Sequence, residues 1–382
     1  MTTRVKPGLD VLLERKKLLK KLSGLNVGLV VNHTSVTRSL DPSYLQLFKK
    51  GIRVKIIFTP EHGLWGAYGA GEPVESESLF LKGVRVQSLY GARRRPSVEM
   101  LEDLDIIIYD IQDVGCRTYT YISTMLNCLE EASAKGVDFM ILDRPNPLGG
   151  VTVEGPVLKK GLESFVGPYY LPLRYGLTPG ELGLLYASEK NLKPPEVVAM
   201  SGWRRMMHYP ETGLPWIHPS PAIPTPTTAL LYSGMVLLEA TNLSEGRGTY
   251  KPFEVFGAPW LRSEELVSML KKRLGKECRP METRFTPSSS KHRGEVCRGV
   301  HLVVGDPKRV RPFEVAVHVV QSVLEVHPEE FVVEHEKMDR LLGDSEMRRS
   351  ILGGMRIEEI VLRLREEQKR FKARIRSVLL YD

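Results

Sequence analysis

The chain has 382 residues, 42% apolar and 26% charged, enough to bury a sizeable core, so disorder is excluded as its global state. No run nears the roughly 20 uninterrupted apolar residues of a membrane span, and Met1 to Lys21 is charged where a signal segment is apolar, so the sequence reads as soluble and cytoplasmic with no membrane partner. The net charge of +8 lies in scattered clusters (Lys16-Lys17, Lys20-Lys21, Arg93-Arg94-Arg95, Lys271-Lys272-Arg273) interleaved with glutamate, which fits solvated faces and no nucleic-acid partner.

The first 150 residues alternate short apolar runs with amphipathic stretches, the pattern of repeated β-α units around a parallel sheet. Strands are predicted over Val27 to Val31, Val54 to Phe58, Val84 to Leu89, Asp105 to Tyr109 and Phe139 to Leu142, each rich in Val, Ile or Leu on both faces as a doubly covered sheet requires. Helices are predicted over Leu9 to Leu22, Tyr44 to Lys50, Ser97 to Leu104 and Tyr121 to Lys135, the last stopped by Gly136. After Gly149-Gly150 proline and glycine become frequent and the alternation stops. The expected organisation is therefore an α/β domain over residues 1–152 and a smaller α+β domain over residues 153–382.

In that second part, Thr178-Pro179-Gly180-Glu181 reads as a capped helix start running to about Lys190. Further helices are expected at Thr228 to Glu239, Ser263 to Leu274 and Pro312 to Leu324, with strands near Val197 to Met200 and Val300 to Val304. Ile357, Ile360, Val361, Leu364, Phe371 and Ile375 mark one face of a long final helix.

In an open parallel sheet, ligands bind beyond the carboxyl ends of the strands. Four predicted strands run into polar segments: Asn32-His33-Thr34-Ser35, Thr59-Pro60-Glu61-His62-Gly63, Asp110-Ile111-Gln112-Asp113 and Asp143-Arg144-Pro145-Asn146. Topology alone would bring these groups to one edge. No glycine-rich phosphate cradle follows the first strand, which disfavours nucleotide chemistry, and no GxSxG elbow marks a serine hydrolase. Cys116, Cys128, Cys278 and Cys297 form no CxxC pair, so neither a metal nor a cofactor is called for.

Acid and base work by carboxylates remains, and glycoside hydrolysis is its natural class. Glu61, fixed between Pro60 and His62-Gly63 directly after a strand, is the candidate acid; a helix-capping or ion-pairing role is the structural alternative. Asp110 and Gln112 sit two apart beyond a buried strand, so extended backbone would project both to one side. Rare Asn and Gln with abundant Glu, Lys and Arg is the composition of a heat-adapted, thermostable protein.

At these residues the chain resembles the exo-beta-N-acetylmuramidases. The likeness is carried by Leu25 to Thr34, Thr59 to Gly63, Asp110 to Gly115, Arg117, Tyr119-Thr120-Tyr121, Leu142 to Pro147 and Val153 to Pro156. It continues through Thr178 to Leu182, Gly202-Trp203, Thr241 to Thr249, Pro252-Phe253-Glu254 and Gly257 to Trp260. What the resemblance implies is a Rossmann-like N-terminal domain packed on a smaller α+β domain, with the substrate cleft between them. It further implies release of terminal N-acetylmuramic acid, or a related amino sugar, from the non-reducing ends of cell-wall fragments, with Glu61 as catalytic acid; the charged N-terminus adds the expectation that such fragments are taken up for recycling.

Such a sugar carries a lactyl carboxylate, for which Arg117, Arg144, Arg174 and Arg247 are candidates. Its acetamido group would meet Asp110, Asp113, Asp143 or Glu245, and which one it meets decides between inversion, a covalent intermediate and substrate assistance. Asn32, His33, His62, Gln112, Tyr119 and Tyr121 would line the sugar site, with Asn146, Glu154 and Asn242 from the shared motifs. Two departures stand out. Ala222 replaces the asparagine that follows the family's Pro-Ser-Pro stretch, and Leu64-Trp65-Gly66-Ala67-Tyr68 makes the rim more apolar and aromatic. A catalytically silent sugar or peptidoglycan-fragment binder and a metal-dependent hydrolase using His33 and His62 are the competing readings.

Overall fold

A computed structural model describes residues 5–69, 71–72 and 83–382. Six strands form one parallel sheet: β1 (Asn26–Val31), β2 (Arg53–Thr59), β3 (Arg85–Ser88), β4 (Ile106–Asp110), β5 (Asp138–Leu142) and β6 (Glu196–Val198), in the order β3-β2-β1-β4-β5-β6. This is the doubly wound Rossmann order, whose reversal point lies between β1 and β4. Side chains alternate between the two faces. Val27, Leu29 and Val31 of β1 and Met140 and Leu142 of β5 join one core, while Val30, Ile107, Tyr109 and Ile141 enter the other.

Helices cover both faces. α1 (Gly8–Glu14), α2 (Lys16–Leu22) and α3 (Ser43–Lys49) put Leu9, Leu12, Leu22 and Leu47 on the first core. The short α4 (Val98–Leu101), α5 (Tyr121–Lys135) and α6 (Pro179–Lys190) cover the second. The single N-terminal helix expected over Leu9 to Leu22 is broken: Arg15 is extended, a turn that no proline or glycine announces. α6 begins as the sequence indicates, with Thr178 and Glu181 in a reciprocal capping box.

The strand expected near Val197 pairs with β5, so the chain serves the parallel sheet well beyond residue 152. After α7 (Pro226–Met235), which continues as a 3-10 turn over Val236–Ala240, comes a three-stranded antiparallel sheet. It has the order β7-β9-β8, from β7 (Val255–Ala258), β8 (Cys278–Phe285) and β9 (Cys297–Val304). α8 (Ser263–Arg273) and α9 (Pro312–Val326) bury their apolar sides within the same core, and α10 (His335–Leu342), α11 (Ser345–Leu352) and α12 (Ile357–Arg374) complete the chain. The second core is continuous between the two parts: Ile107 and Ile141 share it with Phe256 and Val300. Among the described residues, no helix is long and apolar enough to cross a membrane.

Candidate active site

The carboxyl ends of β1, β2 and β4 deliver the polar exits to one edge, as expected. Glu61 follows β2 with its side chain almost wholly enclosed. Its Oε2 accepts from the Thr120 hydroxyl at 2.6 Å and its Oε1 from the Gly71 amide at 2.9 Å. Tyr90, just beyond β3, also hydrogen-bonds Glu61; burial and that carboxylate both raise the phenol's pKa. The carboxyl plane is thus fixed by donors from three separate segments.

His62 adopts φ 73°, a left-handed conformation that costs a non-glycine residue energy and is held by its surroundings. Its Nδ1–H donates to the Tyr68 carbonyl at 2.7 Å, and burial, partly opposed by the Glu61 charge, lowers its pKa so that the ring is neutral at pH 7. From His62 an aromatic chain crosses to the C-terminal half. Ring centroids lie 6.5 Å apart for His62 and Tyr121, 4.8 Å for Tyr121 and Tyr119, 5.9 Å for Tyr119 and Tyr232, and 4.9 Å for Tyr232 and Phe253. Arg247 stacks on Phe253 with its guanidinium carbon 5.0 Å from the ring centroid. The positive charge of Arg247 is felt at His62, so the two halves face each other here.

The segment around residues 218–222 walls this corner. His33 Nε2–H donates to the His218 carbonyl at 2.8 Å, and the Tyr121 hydroxyl donates to the Pro219 carbonyl. Ala222 is buried beside them.

Beyond β1 and β4 the hydrogen bonds are mostly internal. Asn32 Oδ1 accepts from the Thr34 amide at 2.9 Å and hydroxyl at 2.6 Å, and Gln112 Nε2 donates to the carbonyls of Asp113 and Pro145. Asn32 Nδ2, Gln112 Oε1 and Asp113 Oδ1 are buried without a partner, atoms that a polar ligand would satisfy. Asp113 Oδ2 accepts from Gly115 N at 2.7 Å and from the Tyr175 hydroxyl. Gly115 has φ 77°, and a Cβ there would lie 2.3 Å from Asn146 Oδ1, so only glycine lets the chain turn back onto Asp113. Burial raises the Asp113 pKa to about 6 against the hydrogen bonds it receives. Tyr119 feels the charges of both Glu61 and Asp113, so both carboxyls lie within electrostatic reach of this one residue.

Several expected site residues are committed elsewhere. Arg117 is fully buried and donates to the carbonyls of Pro156, Leu171 and Leu341, so it ties the two halves together and meets no cleft. Arg174 is paired with Glu154 at 2.9 Å and also donates to the Leu148 carbonyl. Arg144 holds both oxygens of Asp110, at 2.6 and 3.0 Å, which removes Asp110 as a free base as well as Arg144 as a ligand cation. Asp143 accepts from Thr178 Oγ1, Gly180 N and Tyr381, anchoring the start of α6. Asn146 spans the Leu177 carbonyl and the Leu148 amide, and Asn242 the Glu330 carbonyl and the Val332 amide. Glu245 lies under Arg247 at 3.3 Å and Lys291 at 2.9 Å.

Of the four arginines, Arg247 alone keeps appreciable exposure, 21% of its side chain, with Glu239 and Glu245 holding two of its three nitrogens. Sequence reading missed Thr120, Tyr90 and Tyr175, which hold the two carboxyls. Tyr90 was within reach of the strand-exit argument, since it follows β3 directly. His33 and His62 gain no third ligand: among the described residues, no group of three or more His, Cys, Asp and Glu is placed to hold a metal ion.

The model of the N-terminal part of exo-beta-N-acetylmuramidase NamZ matches residues 27–227, and that of its C-terminal part matches residues 230–381. The peptidoglycan beta-N-acetylmuramidase NamZ of Bacillus subtilis (strain 168) is 39% identical over 381 residues, covering 99% of this chain and 92% of that protein. Two crystal structures of DUF1343 family proteins from Bacteroides fragilis NCTC 9343 have the same fold. One superimposes with a TM-score of 0.88 at 34% identity over 99% of each chain, the other with 0.77 at 27% identity over 100% of this chain and 99% of that one. The glycosidase chemistry suggested by the carboxyl at the end of β2 thus meets sequence agreement along nearly the whole chain, which belongs to the exo-beta-N-acetylmuramidase NamZ family.

Proposed function

We propose that this enzyme removes a terminal, non-reducing β-linked N-acetylmuramic acid from peptidoglycan fragments, with Glu61 as the general acid. The observation that carries this reading is the fixed carboxyl of Glu61. Thr120 and Gly71 set its plane, and Tyr90, Tyr121 and neutral His62 enclose it, so the carboxyl meets the leaving glycosidic oxygen in a fixed orientation. The oxocarbenium-like centre would then form beside the Glu61 carboxyl.

Arg247 is the cation for the lactyl carboxylate. Its Nε and one terminal nitrogen are fixed by Glu245 and Glu239 and its plane by Phe253, leaving the remaining amino group to a ligand.

The experiment is hydrolysis of an aryl β-glycoside of N-acetylmuramic acid by wild type and Glu61→Gln. Loss of turnover on the order of 1,000-fold or more with sugar binding retained is expected; unchanged turnover removes Glu61 from the mechanism. The second reading, a binder without turnover, is favoured by buried Ala222, at a position where the resemblance leads one to expect an asparagine. Tight sugar binding with no product after prolonged incubation selects it.

A further inference from the structure

We propose that the sugar's own C2 acetamido oxygen attacks the anomeric carbon, and that Asp113 is the carboxylate that accepts the acetamido N–H. This rests on the reading of Glu61 as the acid of a glycosidase.

A glycosidase that protonates its leaving group needs a second group at the anomeric carbon. The carboxylates gathered near the site differ sharply in what they have left to give. Asp110 spends both oxygens on Arg144, Asp143 is taken up by the start of α6 and by Tyr381, and Glu245 is neutralised by Arg247 and Lys291. Asp113 keeps Oδ1 without a partner while Gly115 and Tyr175 lock Oδ2, so the carboxyl presents one acceptor and cannot rotate freely.

Among the described residues no lysine or arginine pairs with Asp113. A desolvated carboxylate without a counter-ion stabilises a positive charge most when that charge appears in its neighbourhood. The oxazolinium formed by acetamide attack is such a charge, born in the reaction and absent from the ground state. The unpartnered Nδ2 of Asn32 and Oε1 of Gln112 belong to the same strand ends and suit the hydroxyls of the same sugar ring.

The step balances without an added reagent. The acetamido oxygen forms a bond to C1 as the C1–O bond to the leaving group breaks, and the Glu61 proton passes to the departing oxygen. The acetamido N–H, now acidic, is held by Asp113. Water then attacks C1, gives a proton to Glu61 and reopens the ring to the acetamide, so the product keeps the β configuration. Two requirements follow: the substrate must carry a 2-acetamido group, and its leaving group must be trans to it.

The test is a series of aryl β-glycosides of the same amino sugar bearing acetyl, fluoroacetyl, difluoroacetyl and trifluoroacetyl groups on nitrogen. Each fluorine weakens the carbonyl oxygen as a nucleophile. For the wild type, kcat/KM should fall by about 100-fold or more across the series. Asp113→Asn should lose on the order of 100-fold in kcat on the acetyl substrate with KM little changed, and its dependence on fluorination should flatten. A flat series for wild type, with hydrolysis still dependent on Glu61, overturns the inference and leaves the acid in place. Trapping of a 2-deoxy-2-fluoro sugar as an ester on Asp113 overturns it too, in favour of direct attack. If wild type cleaves none of these glycosides, both readings fall. The wild-type series alone decides the matter should Asp113→Asn fail to fold.

Discussion

The Thr120 hydroxyl donates to Glu61 Oε2 at 2.6 Å, joining the first turn of α5 to the end of β2. Together with the Gly71 amide on Oε1, the bond fixes the plane in which the carboxyl is held. Thr120→Val keeps the shape and removes the donor. A hydrogen bond to a charged group contributes about 1.5–3 kcal/mol, so kcat should fall roughly 10- to 100-fold with KM and melting temperature nearly unchanged. Steady-state kinetics beside a thermal melt check this; a lowered melting temperature with unchanged kcat would make Thr120 a purely structural residue.

Arg247 and Arg117 make a contrasting pair for the question of which arginine reads a substrate carboxylate. Arg247→Gln should raise KM for the muramic glycoside by roughly 30- to 100-fold, the scale of a charge-assisted hydrogen bond. It should leave the matching N-acetylglucosamine glycoside, which lacks the lactyl carboxylate, unaffected. An equal loss on both substrates would assign Arg247 to structure instead of selectivity.

Arg117→Met should behave in the opposite way. Three buried carbonyls, those of Pro156, Leu171 and Leu341, lose their donors, at a cost of at least about 3 kcal/mol. Denaturant midpoints should drop accordingly while the surviving folded enzyme keeps its KM for both glycosides. A KM effect without loss of stability would return Arg117 to the list of ligand contacts.

The parallel sheet was legible because strands buried on both faces are rich in Val, Ile and Leu, as β1, β4 and β5 are. β8 is not. Its Cys278-Arg279-Pro280-Met281-Glu282 run is an edge strand whose outward residues are solvated, so no apolar run marks it, and Pro280 argues against a strand. The strand-exit rule anticipated that Glu61 and Asp113 stand at one edge of the sheet, since chain topology alone brings those exits together. It did not tell ligand-facing groups from buried scaffolding. Asp110 and Asp113 stand three apart in sequence, yet one is spent on Arg144 and the other keeps a bare oxygen. That difference depends on partners 34 and 62 residues away, Arg144 and Tyr175, which periodicity does not reveal.

Asp113 also sets a pH dependence for the reaction. Its pKa is raised to about 6, chiefly by burial. Holding an acetamido N–H requires the ionised form, so kcat should rise with pH through about 6 on the acid side. Asp113→Asn should abolish that limb. A wild-type limb that survives the substitution would belong to another group.

Asp143 makes a stability prediction of defined sign. It accepts from Thr178, Gly180 and Tyr381 at the start of α6, and burial raises its pKa from 3.8 to about 7. Between those two values the folded protein holds a proton that the unfolded chain has released. Unfolding free energy therefore decreases as pH rises through this interval, because the native state binds more protons than the unfolded one. The stabilising contribution is complete below about pH 4 and lost above about pH 7. Asp143→Asn carries a neutral acceptor at every pH, so its stability should vary less from pH 4 to 7, and the gap between variant and wild type should close or reverse toward pH 8. Urea midpoints at half-unit pH intervals measure this directly. A wild-type and variant pair that run parallel across the range would mean that Asp143 is ionised in the fold, its charge sustained by the α6 amide and the two hydroxyls against the burial that opposes it.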